Sequence, residues 1–272
     1  MGFRTWYYNL LVSQMKYPTI NGGPVSRAIQ RALDSQHDFL AKCAVKLLKI
    51  QPHERVLEVG CGSGVGLKCA FWRIEEGRGT IYGIEESKPM AELSKSKFRL
   101  ELEEEKIFIH ACRYSHMPFV DRYFDKIFHC NSFHFWTDPL LVAKELFRVL
   151  QPRGQLVGTL YLDHFERLRE NVSAHNRPSM DPLDYMMILE NVGFEGVQIK
   201  YYPFKDKVYQ AIFAQKPVVK QTEELDQFDE DAETENLEQF IQGSQEEYAR
   251  RRDLGVLAKK LAQEQKQENK KK

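Results

Sequence analysis

A glycine-rich turn follows a short apolar run in the first third of the chain. The run is Val56–Val59, and the glycines after it alternate with small residues at Gly60, Gly62 and Gly64. Glycine permits positive φ and removes the side chain where a ligand must approach the backbone. Exposed N–H groups in such a turn, with the helix N-terminus behind it, bind anionic or polar ligands. The turn predicts a ligand site, although a pyrophosphate site and a purely structural corner have the same pattern.

Two carboxylates near the turn favour one kind of ligand. Glu58 stands two residues before Gly60, where a dinucleotide site gains nothing from a negative charge beside a pyrophosphate. A carboxylate at this position suits a ligand with a positive amino group. Glu85 follows the next apolar run, about 20 residues on, where a carboxylate can accept both hydroxyls of a ribose. The pair predicts a ligand that carries an amino group and a ribose.

A third group of polar and aromatic residues follows a later apolar run. The segment is Asn131–Trp136, and it ends a predicted strand whose carboxyl end faces the ligand crevice. His134 can act there as a general base, because its reference pKa lies near neutral pH. The alternative is that His134 only closes the loop over the ligand by its shape. Phe135 and Trp136 are predicted to form a wall of the substrate site.

The elements that must position these residues alternate along the chain. Short apolar runs predict strands, and the segments between them have helical periodicity, as in 138–150. Alternation of this length predicts a parallel sheet with crossover helices on both faces. The predicted strands are Arg55–Val59, Thr80–Ile84, Ile107–His110, Lys126–His129 and Gln155–Leu160.

The end of this region has a different pattern. A predicted helix, Asp181–Glu190, is terminated by Gly193 as its C-cap. Two strands, Val197–Tyr201 and Val208–Ala214, then follow with only a short loop between them, so they must pair as an antiparallel hairpin. The predicted sheet is therefore mostly parallel with an antiparallel edge.

Together these residues resemble a known family. The segment Glu58–Gly64 is similar to the first motif of the class I methyltransferases, an acidic residue and an apolar residue followed by GxGxG, and Glu85 falls on the family's ribose-binding acid. Three later blocks resemble the type 11 branch: Met117–Phe119, Phe124–Ile127 and Glu145–Gly154. The resemblance covers about residues 37–217.

The resemblance implies a fold, a cofactor and a reaction. The fold is an α/β, doubly wound, seven-stranded sheet, mostly parallel with an antiparallel edge strand. The cofactor is S-adenosyl-L-methionine, and the reaction is direct displacement of its methyl group onto a small-molecule acceptor. The residues implied to hold the cofactor are Glu58, Gly60, Cys61, Gly62, Gly64, Glu85, Cys112, Arg113, Asn131 and Ser132.

One departure from the family keeps an alternative open. Many relatives carry an acidic residue after the third strand, whereas the segment Ala111–Ser115 has no carboxylate. A non-catalytic, methyltransferase-like binding or interaction protein is therefore the alternative. A nicotinamide-dependent oxidoreductase is a further alternative, which Glu58 and the terminal hairpin disfavour.

Composition excludes several other classes. Lys+Arg and Asp+Glu are equal at 39 each, so no global basic field indicates a nucleic acid partner. The 5 cysteines are scattered without a CxxC pair, which predicts no metal site. No apolar run approaches the ~20 residues of a membrane span, and no signal peptide is evident, so a cytoplasmic or nuclear location is expected.

The composition also divides the chain into three parts. Residues 1–36 are predicted to form an N-terminal cap segment, residues 37–217 the methyltransferase domain, and residues 218–272 a charged tail. Between Gln221 and Glu247 the tail has eleven acidic residues and no Lys or Arg, and its end is basic. Such blocks predict disorder or a lone solvated helix. A weak apolar stripe near its end leaves docking on a protein partner as a further role.

Overall fold

One seven-stranded sheet forms the centre of the chain. The computed structural model describes residues 38–133, 136–161, 181–204 and 207–218. Within these ranges the sheet has the strand order β3-β2-β1-β4-β5-β7-β6. The strands are β1 Arg55–Val59, β2 Thr80–Glu85, β3 Ile107–Ala111, β4 Phe124–Cys130, β5 Leu150–Leu160, β6 Glu195–Phe204 and β7 Lys207–Gln215.

Helices connect the strands of this sheet, and several are fixed by their ends. Asp138 caps α5 by accepting the Leu141 N–H at 3.0 Å, and Asp181 forms a capping box with Asp184 at the start of α6. Gly193 ends α6 in the left-handed region at φ 105°, so its predicted role as a C-cap is confirmed. The helices are α1 38–48, α2 Val65–Ile74, α3 Lys88–Lys97, α4 Arg99–Glu103, α5 Pro139–Val149 and α6 Pro182–Val192.

The strand pairing confirms the predicted fold class. Strands β1 to β5 pair in parallel, as in Leu57 with Tyr82 and Leu57 with Ile127. Strand β7 lies between β5 and β6 and is antiparallel to both. The terminal hairpin is therefore present, and the antiparallel pairings are confined to this edge of the sheet. The carboxyl ends of the parallel strands consequently share one end of the sheet, where the candidate site lies.

Both faces of the sheet are buried, which explains its continuous apolar strands. Leu57, Ile127 and Leu156 point to one face, where they pack with side chains of α5 and α6. Val56 and Phe128 point to the other face, where they pack with side chains of α1 and α2. Alternate residues of a strand point to opposite faces, so a strand that is buried on both faces is apolar along most of its length. Helices on both faces make the sheet doubly wound.

The observed boundaries differ from the predicted ones mainly in β5. The prediction begins this strand at Gln155, whereas the strand begins at Leu150, directly after α5. Leu150 pairs with Phe124, and the register then shifts before Gln155 pairs with Lys126. Pro152 in this stretch has no N–H and breaks the apolar pattern, which hides the first part of the strand.

Several predictions lie outside the described residues. These are the N-terminal cap segment at 1–36, the charged tail from residue 219 onwards, and two site residues, His134 and Phe135. The division of the chain into three parts therefore stays a prediction.

Candidate functional site

The glycine turn after β1 is bonded to the end of β2. The Gly60 and Cys61 N–H groups both donate to the Ile84 carbonyl, at 2.9 and 3.1 Å, and the Gly64 N–H donates to the Cys61 carbonyl at 2.8 Å. Gly60 and Gly64 have φ of 76° and 84°, in the left-handed region that favours glycine. A Cβ on Gly64 would also overlap the Phe98 ring. These two glycines are therefore required by the backbone path of the turn.

The amide groups of this turn correct one expectation from the sequence. The sequence predicts exposed N–H groups that bind an anionic or polar ligand. However, Gly60 and Cys61 donate to Ile84, and the Gly62 N–H donates to the Glu85 carboxylate at 2.9 Å. Three successive amides are thus directed at protein acceptors. The expectation of exposed donors is wrong at these positions, and the geometry disfavours a pyrophosphate cradle, which needs such donors.

Glu58 lies directly behind the turn. Its side chain is completely buried, at 0% exposure. A Cβ on Gly66, in the first turn of α2, would overlap the Glu58 carboxylate, so this carboxylate occupies the place of a side chain at residue 66. An acidic group near a helix N-terminus is stabilised by the partial positive charge there. Glu58 therefore fills the space beside Gly66 and supports the start of α2, next to the glycine turn.

Glu85, the last residue of β2, joins two loops at the carboxyl end of the sheet. One carboxylate oxygen accepts the Gly62 N–H at 2.9 Å, and the other accepts the Ser87 N–H at 2.9 Å. Only 6% of the residue is exposed. Since a carboxylate can accept about four hydrogen bonds, holding these loops is compatible with accepting ribose hydroxyls. Glu85 is thus brought next to the glycine turn, as the sequence predicts.

The segment after β3 lies beside Glu85. The Cys112 N–H donates to the Glu85 carbonyl at 3.1 Å, and the Tyr114 N–H donates to a Glu86 carboxylate oxygen at 3.0 Å. Burial, together with the nearby Glu86 carboxylate, raises the pKa of the Cys112 thiol to about 11. Cys112 is therefore a neutral thiol, while Arg113 is exposed. Both lie next to the predicted ribose position.

The segment after β4 contains two further predicted cofactor residues. Asn131 is in the left-handed region at φ 50°, which asparagine tolerates better than most residues. Its N–H donates to the Thr159 carbonyl at 2.8 Å, and its side-chain oxygen accepts the Tyr161 N–H at 3.3 Å. Ser132 lies against the turn, because a Cβ built on Gly60 would be 3.5 Å from the Ser132 Cβ. The structure thus brings Ser132 and Gly60 together from two neighbouring strands.

Of the two residues predicted to form the substrate wall, the structure describes Trp136. Only 3% of this residue is exposed, and its ring lies 5.2 Å from the His129 ring, 5.6 Å from that of Tyr185 and 6.4 Å from that of Tyr114. Its indole N–H is buried and has no hydrogen-bond partner among the described residues. The other two residues predicted for this segment, His134 and Phe135, are not among those that the structure describes.

Two residues of this region escaped the sequence analysis. One is Tyr114. Its hydroxyl oxygen would lie 3.4 Å from a Cβ built on Gly60, so its side chain lies beside the turn. The other is His129, whose Nε2 is 2.9 Å from the Tyr185 hydroxyl and whose pKa is lowered by burial to about 3. Its Nδ1 has no partner among the described residues. Each of these contacts joins residues that are far apart in sequence. The sequence therefore carries one signal only, the position of Tyr114 shortly after a predicted strand.

The central part of the chain is similar to known proteins. A family model described as "Methyltransferase domain", the type 11 model, matches residues 57–158, from β1 to β5. Residues 57–158 belong to the type 11 methyltransferase family. Together with the strand order, this match confirms the class I methyltransferase fold that the resemblance implied.

Individual relatives agree with this assignment. The chain is 31% identical to methyltransferase GfsG of Streptomyces halstedii over 109 residues, which are 40% of this chain and 38% of that protein. It is 25% identical to a demethylmenaquinone methyltransferase of Anoxybacillus flavithermus over 204 residues, 62% of this chain and 81% of that protein. The chain thus spans less than half the length of GfsG.

Solved structures show the same fold. An S-adenosylmethionine-dependent methyltransferase from Aquifex aeolicus has a TM-score of 0.54 and 21% identity, covering 68% of this chain and 95% of that one. At this identity the likeness establishes the fold of the methyltransferase domain and no finer property.

A clamp within the methyltransferase domain holds the loop between β3 and β4. The Arg148 guanidinium on α5 donates to the Met117 and Phe119 carbonyls at 3.1 and 2.7 Å, and to Asp121 at 2.8 Å. Glu145 accepts the Met117 N–H at 2.7 Å. Burial opposes ionisation of Glu145, but hydrogen bonds from Arg148 and Met117 outweigh it and lower its pKa. The clamp fixes the backbone just beyond Tyr114.

The described residues contain neither a metal-binding cluster nor a membrane-spanning helix. Among the described residues, no group of three or more His, Cys, Asp or Glu side chains is arranged to hold a metal ion. In the same residues, no helix is both long enough and apolar enough to cross a bilayer.

Proposed function

We propose that this chain is an S-adenosylmethionine-dependent methyltransferase that acts on a small molecule by direct displacement. The observation that carries the proposal is the Glu85 carboxylate, which is held at the Gly62 amide beside a turn whose amides are already bonded. Such a turn lacks the free donors of a pyrophosphate site, yet it has a carboxylate for a ribose. The family of residues 57–158 supports the same ligand.

The described residues fit this cofactor in distinct places. Glu85 would accept the ribose hydroxyls, and Cys112 and Arg113 border the neighbouring space. The amino-acid end would lie along the glycine turn, next to Tyr114 and Ser132. Asn131 and Ser132 would line the floor. The contacts give these residues their locations, and their roles toward a cofactor stay predictions.

The chemistry then requires little from the protein beyond alignment. When bound, the sulfonium of the cofactor supplies an activated methyl group. The chain must hold the acceptor in line with that group and exclude water, because a fixed reactive geometry removes most of the entropic barrier. Trp136, which follows β4 and is almost fully buried, is proposed to exclude water from the reacting groups. His134 is the proposed base for an acceptor that must lose a proton.

The acceptor is proposed to be a small molecule. A relative that the chain matches over 81% of its length is named for demethylmenaquinone, and the buried rings of Trp136, Phe133 and Tyr185 pack together beside β4. The likeness to that relative favours an acceptor with an apolar, planar ring. Screening should therefore begin with phenols and quinols.

The cofactor assignment is tested by calorimetry with S-adenosylmethionine and S-adenosylhomocysteine. Wild type should bind both, and Glu85→Ala should weaken binding about tenfold or more, about 1.4 kcal/mol. Since Glu85 also holds two loops, Glu85→Gln is the sharper variant, because its amide keeps one acceptor oxygen. Glu92→Ala, on the exposed face of α3, is the matched control and should leave binding unchanged. Absence of binding by folded wild type would exclude the proposed function.

A second candidate is a methyltransferase-like protein without turnover. Arg113 and Tyr114 favour it, because they stand where many relatives have a carboxylate and Tyr114 approaches Gly60. This candidate predicts cofactor binding by wild type with no methyl transfer to any acceptor of a broad panel. Formation of a methylated product with any acceptor would exclude it.

A further inference from the structure

Cationic side chains line a cavity at the opposite end of the sheet from the candidate functional site. The cavity has a volume of about 440 Å³ and lies where β4 and β5 begin, beside the last turns of α5 and α6. Its charged lining consists of four cations, Arg122, Lys144, Arg148 and Lys216, and of one carboxylate, Asp121. The lining of this cavity therefore has a net positive charge.

Arg148 is already neutralised and has no donor left for a ligand. Two of its N–H groups donate to the two carboxylate oxygens of Glu145, and a third donates to Asp121 at 2.8 Å. The Met117 and Phe119 carbonyls accept the other two. A guanidinium has five N–H groups, so these bonds use all of them. The single carboxylate of the cavity is thus committed to Arg148, and the other three cations keep their charge.

Lys216 is a buried cation in the wall of this cavity. Only 6% of the residue is exposed, and its Nζ donates to the Phe147 and Leu150 carbonyls at the end of α5, at 2.5 and 2.8 Å. Burial, together with the charge of nearby Arg122, lowers the pKa of Lys216, so the two cations are close enough to repel each other. An ammonium has three N–H groups, and one of those on Lys216 has no partner among the described residues.

The remaining two cations have all their side-chain donors available. Within the described part of the chain, neither Arg122 nor Lys144 forms an ion pair or a side-chain hydrogen bond. The main chain at Arg122 is nevertheless fixed, because the Arg122 and Tyr123 N–H groups donate to the Arg148 and Val149 carbonyls at 2.9 and 2.7 Å. The carbonyls at the end of α5 explain the burial of a lysine there, but they do not bind these two side chains.

We propose that this cavity binds a dianionic phosphate group, either free or as part of a phosphate ester. The Arg122 guanidinium is a planar fork that can donate to two phosphate oxygens at once. Lys144 and the remaining N–H of Lys216 supply further donors, and the negative charge offsets the repulsion between Arg122 and Lys216. A cavity bounded by two helix ends and two strand ends suits a small anion better than an extended chain. The inference is independent of the proposed function, because it uses none of the predicted cofactor residues.

Calorimetry with inorganic phosphate, against chloride of matched ionic strength, tests the site in the full chain. Wild type should bind phosphate, and Arg122→Gln should weaken binding about tenfold or more, because it removes both the charge and the fork. Lys144→Gln should weaken it less, since an ammonium makes no bidentate contact. Arg99→Gln is the matched control, because it removes the same charge from the exposed surface of α4 and should leave binding unchanged.

Vesicles of phosphatidylcholine, with and without phosphatidic acid, distinguish a lipid headgroup from a soluble phosphate. Binding of either source that Arg122→Gln and Lys144→Gln weaken selectively supports the inference. If folded wild type binds neither phosphate nor the acidic vesicles, the inference is overturned. Equal weakening by Arg122→Gln and Arg99→Gln would also overturn it, because binding would then follow the overall charge and not the cavity. Thermal unfolding of each variant verifies that it is folded.

Discussion

The turn after β1 and the segment after β4 lie at the same end of the sheet and differ in how their polar atoms are bonded. In the turn, the amides of Gly60, Cys61 and Gly62 all donate to protein acceptors at the end of β2. Near the end of β4, Ser132 Oγ and the Trp136 indole N–H are buried without partners among the described residues. The amides named in the turn have hydrogen-bond partners without a ligand, whereas the buried polar groups named near the end of β4 do not.

This difference indicates how the two regions contribute to a site. A fully bonded turn keeps its shape before a ligand arrives, so it sets the position at which the ligand binds. Buried polar groups without partners lower stability by about 1–3 kcal/mol each, and each such group in a native protein calls for an explanation, such as a catalytic role or a bound water or ion. The segment after β4 is therefore where binding should recover free energy.

The largest expected effect comes from a substitution at the start of α2, directly after the glycine turn. In Gly66→Ala the new Cβ overlaps the Glu58 carboxylate, and neither the strand nor α2 can move without breaking core contacts. We expect a loss of about 3 kcal/mol in the free energy of unfolding, typical of overpacking in a rigid core. Denaturant unfolding measures it.

Two further variants make this result specific to the overlap. Gly196→Ala meets no atom within 4 Å and is strained only by its φ of 63°, so it should cost only about 1 kcal/mol. In the double variant, Glu58→Ala should relieve part of the Gly66→Ala loss, as a coupled pair does in a double-mutant cycle. Strictly additive losses would show that Glu58 does not occupy the space at Gly66.

The second expected effect is a pH dependence from the region around β4. His129 has a pKa of about 3 in the folded chain and about 6.5 when unfolded. Between these values the unfolded chain binds a proton that the folded chain does not, so stability falls as the pH falls. The slope from this group is up to about 1.4 kcal/mol per pH unit.

Unfolding of wild type and His129→Gln at pH 7, 6 and 5 isolates this contribution. Glu145, whose pKa is lowered, also destabilises the fold in acid, but it does so equally in both proteins. The difference in slope therefore belongs to His129. Equal slopes would mean that His129 is protonated or hydrated in the folded chain, and the description of a dry, neutral pair with Tyr185 would be wrong.

The smallest expected effect is the loss of the Ser132 hydroxyl in the absence of ligand. Because this group is buried and has no partner in the described part of the chain, Ser132→Ala should raise the free energy of unfolding, by about 1 kcal/mol. Thermal unfolding without ligand measures it. A loss of about 1 kcal/mol or more would reveal a hydrogen bond and remove the contrast between the two regions.

The sequence predicts those features that depend on neighbours along the chain. Strand β1 was predicted with its observed ends, and Gly193 ends α6 as predicted, because apolar runs and helix caps are local signals. The terminal hairpin is present for the same reason, since a short loop between two strands forces them to pair. Family resemblance added the place of Glu85.

The features that escaped prediction depend on residues far apart in sequence. The Gly62 amide is occupied by a carboxylate 23 residues away, and His129 pairs with a tyrosine 56 residues away. Tyr114 reaches Gly60 only because β1, β2 and β3 are adjacent in the sheet. No local sequence pattern encodes such long-range contacts. The sequence could therefore identify candidate residues but not the hydrogen bonds between them.

The Arg148 clamp has a consequence for how this domain can diverge. Arg148 and Glu145 hold the loop after β3 at the main-chain atoms of Met117 and at the carbonyl of Phe119. Main-chain atoms are the same in every residue, so this hold does not depend on which side chains the loop carries. Side chains between β3 and the clamp, Tyr114 among them, are thus free to be exchanged while the loop keeps its course. A domain built in this way can acquire a new ligand preference without first having to find a new fold.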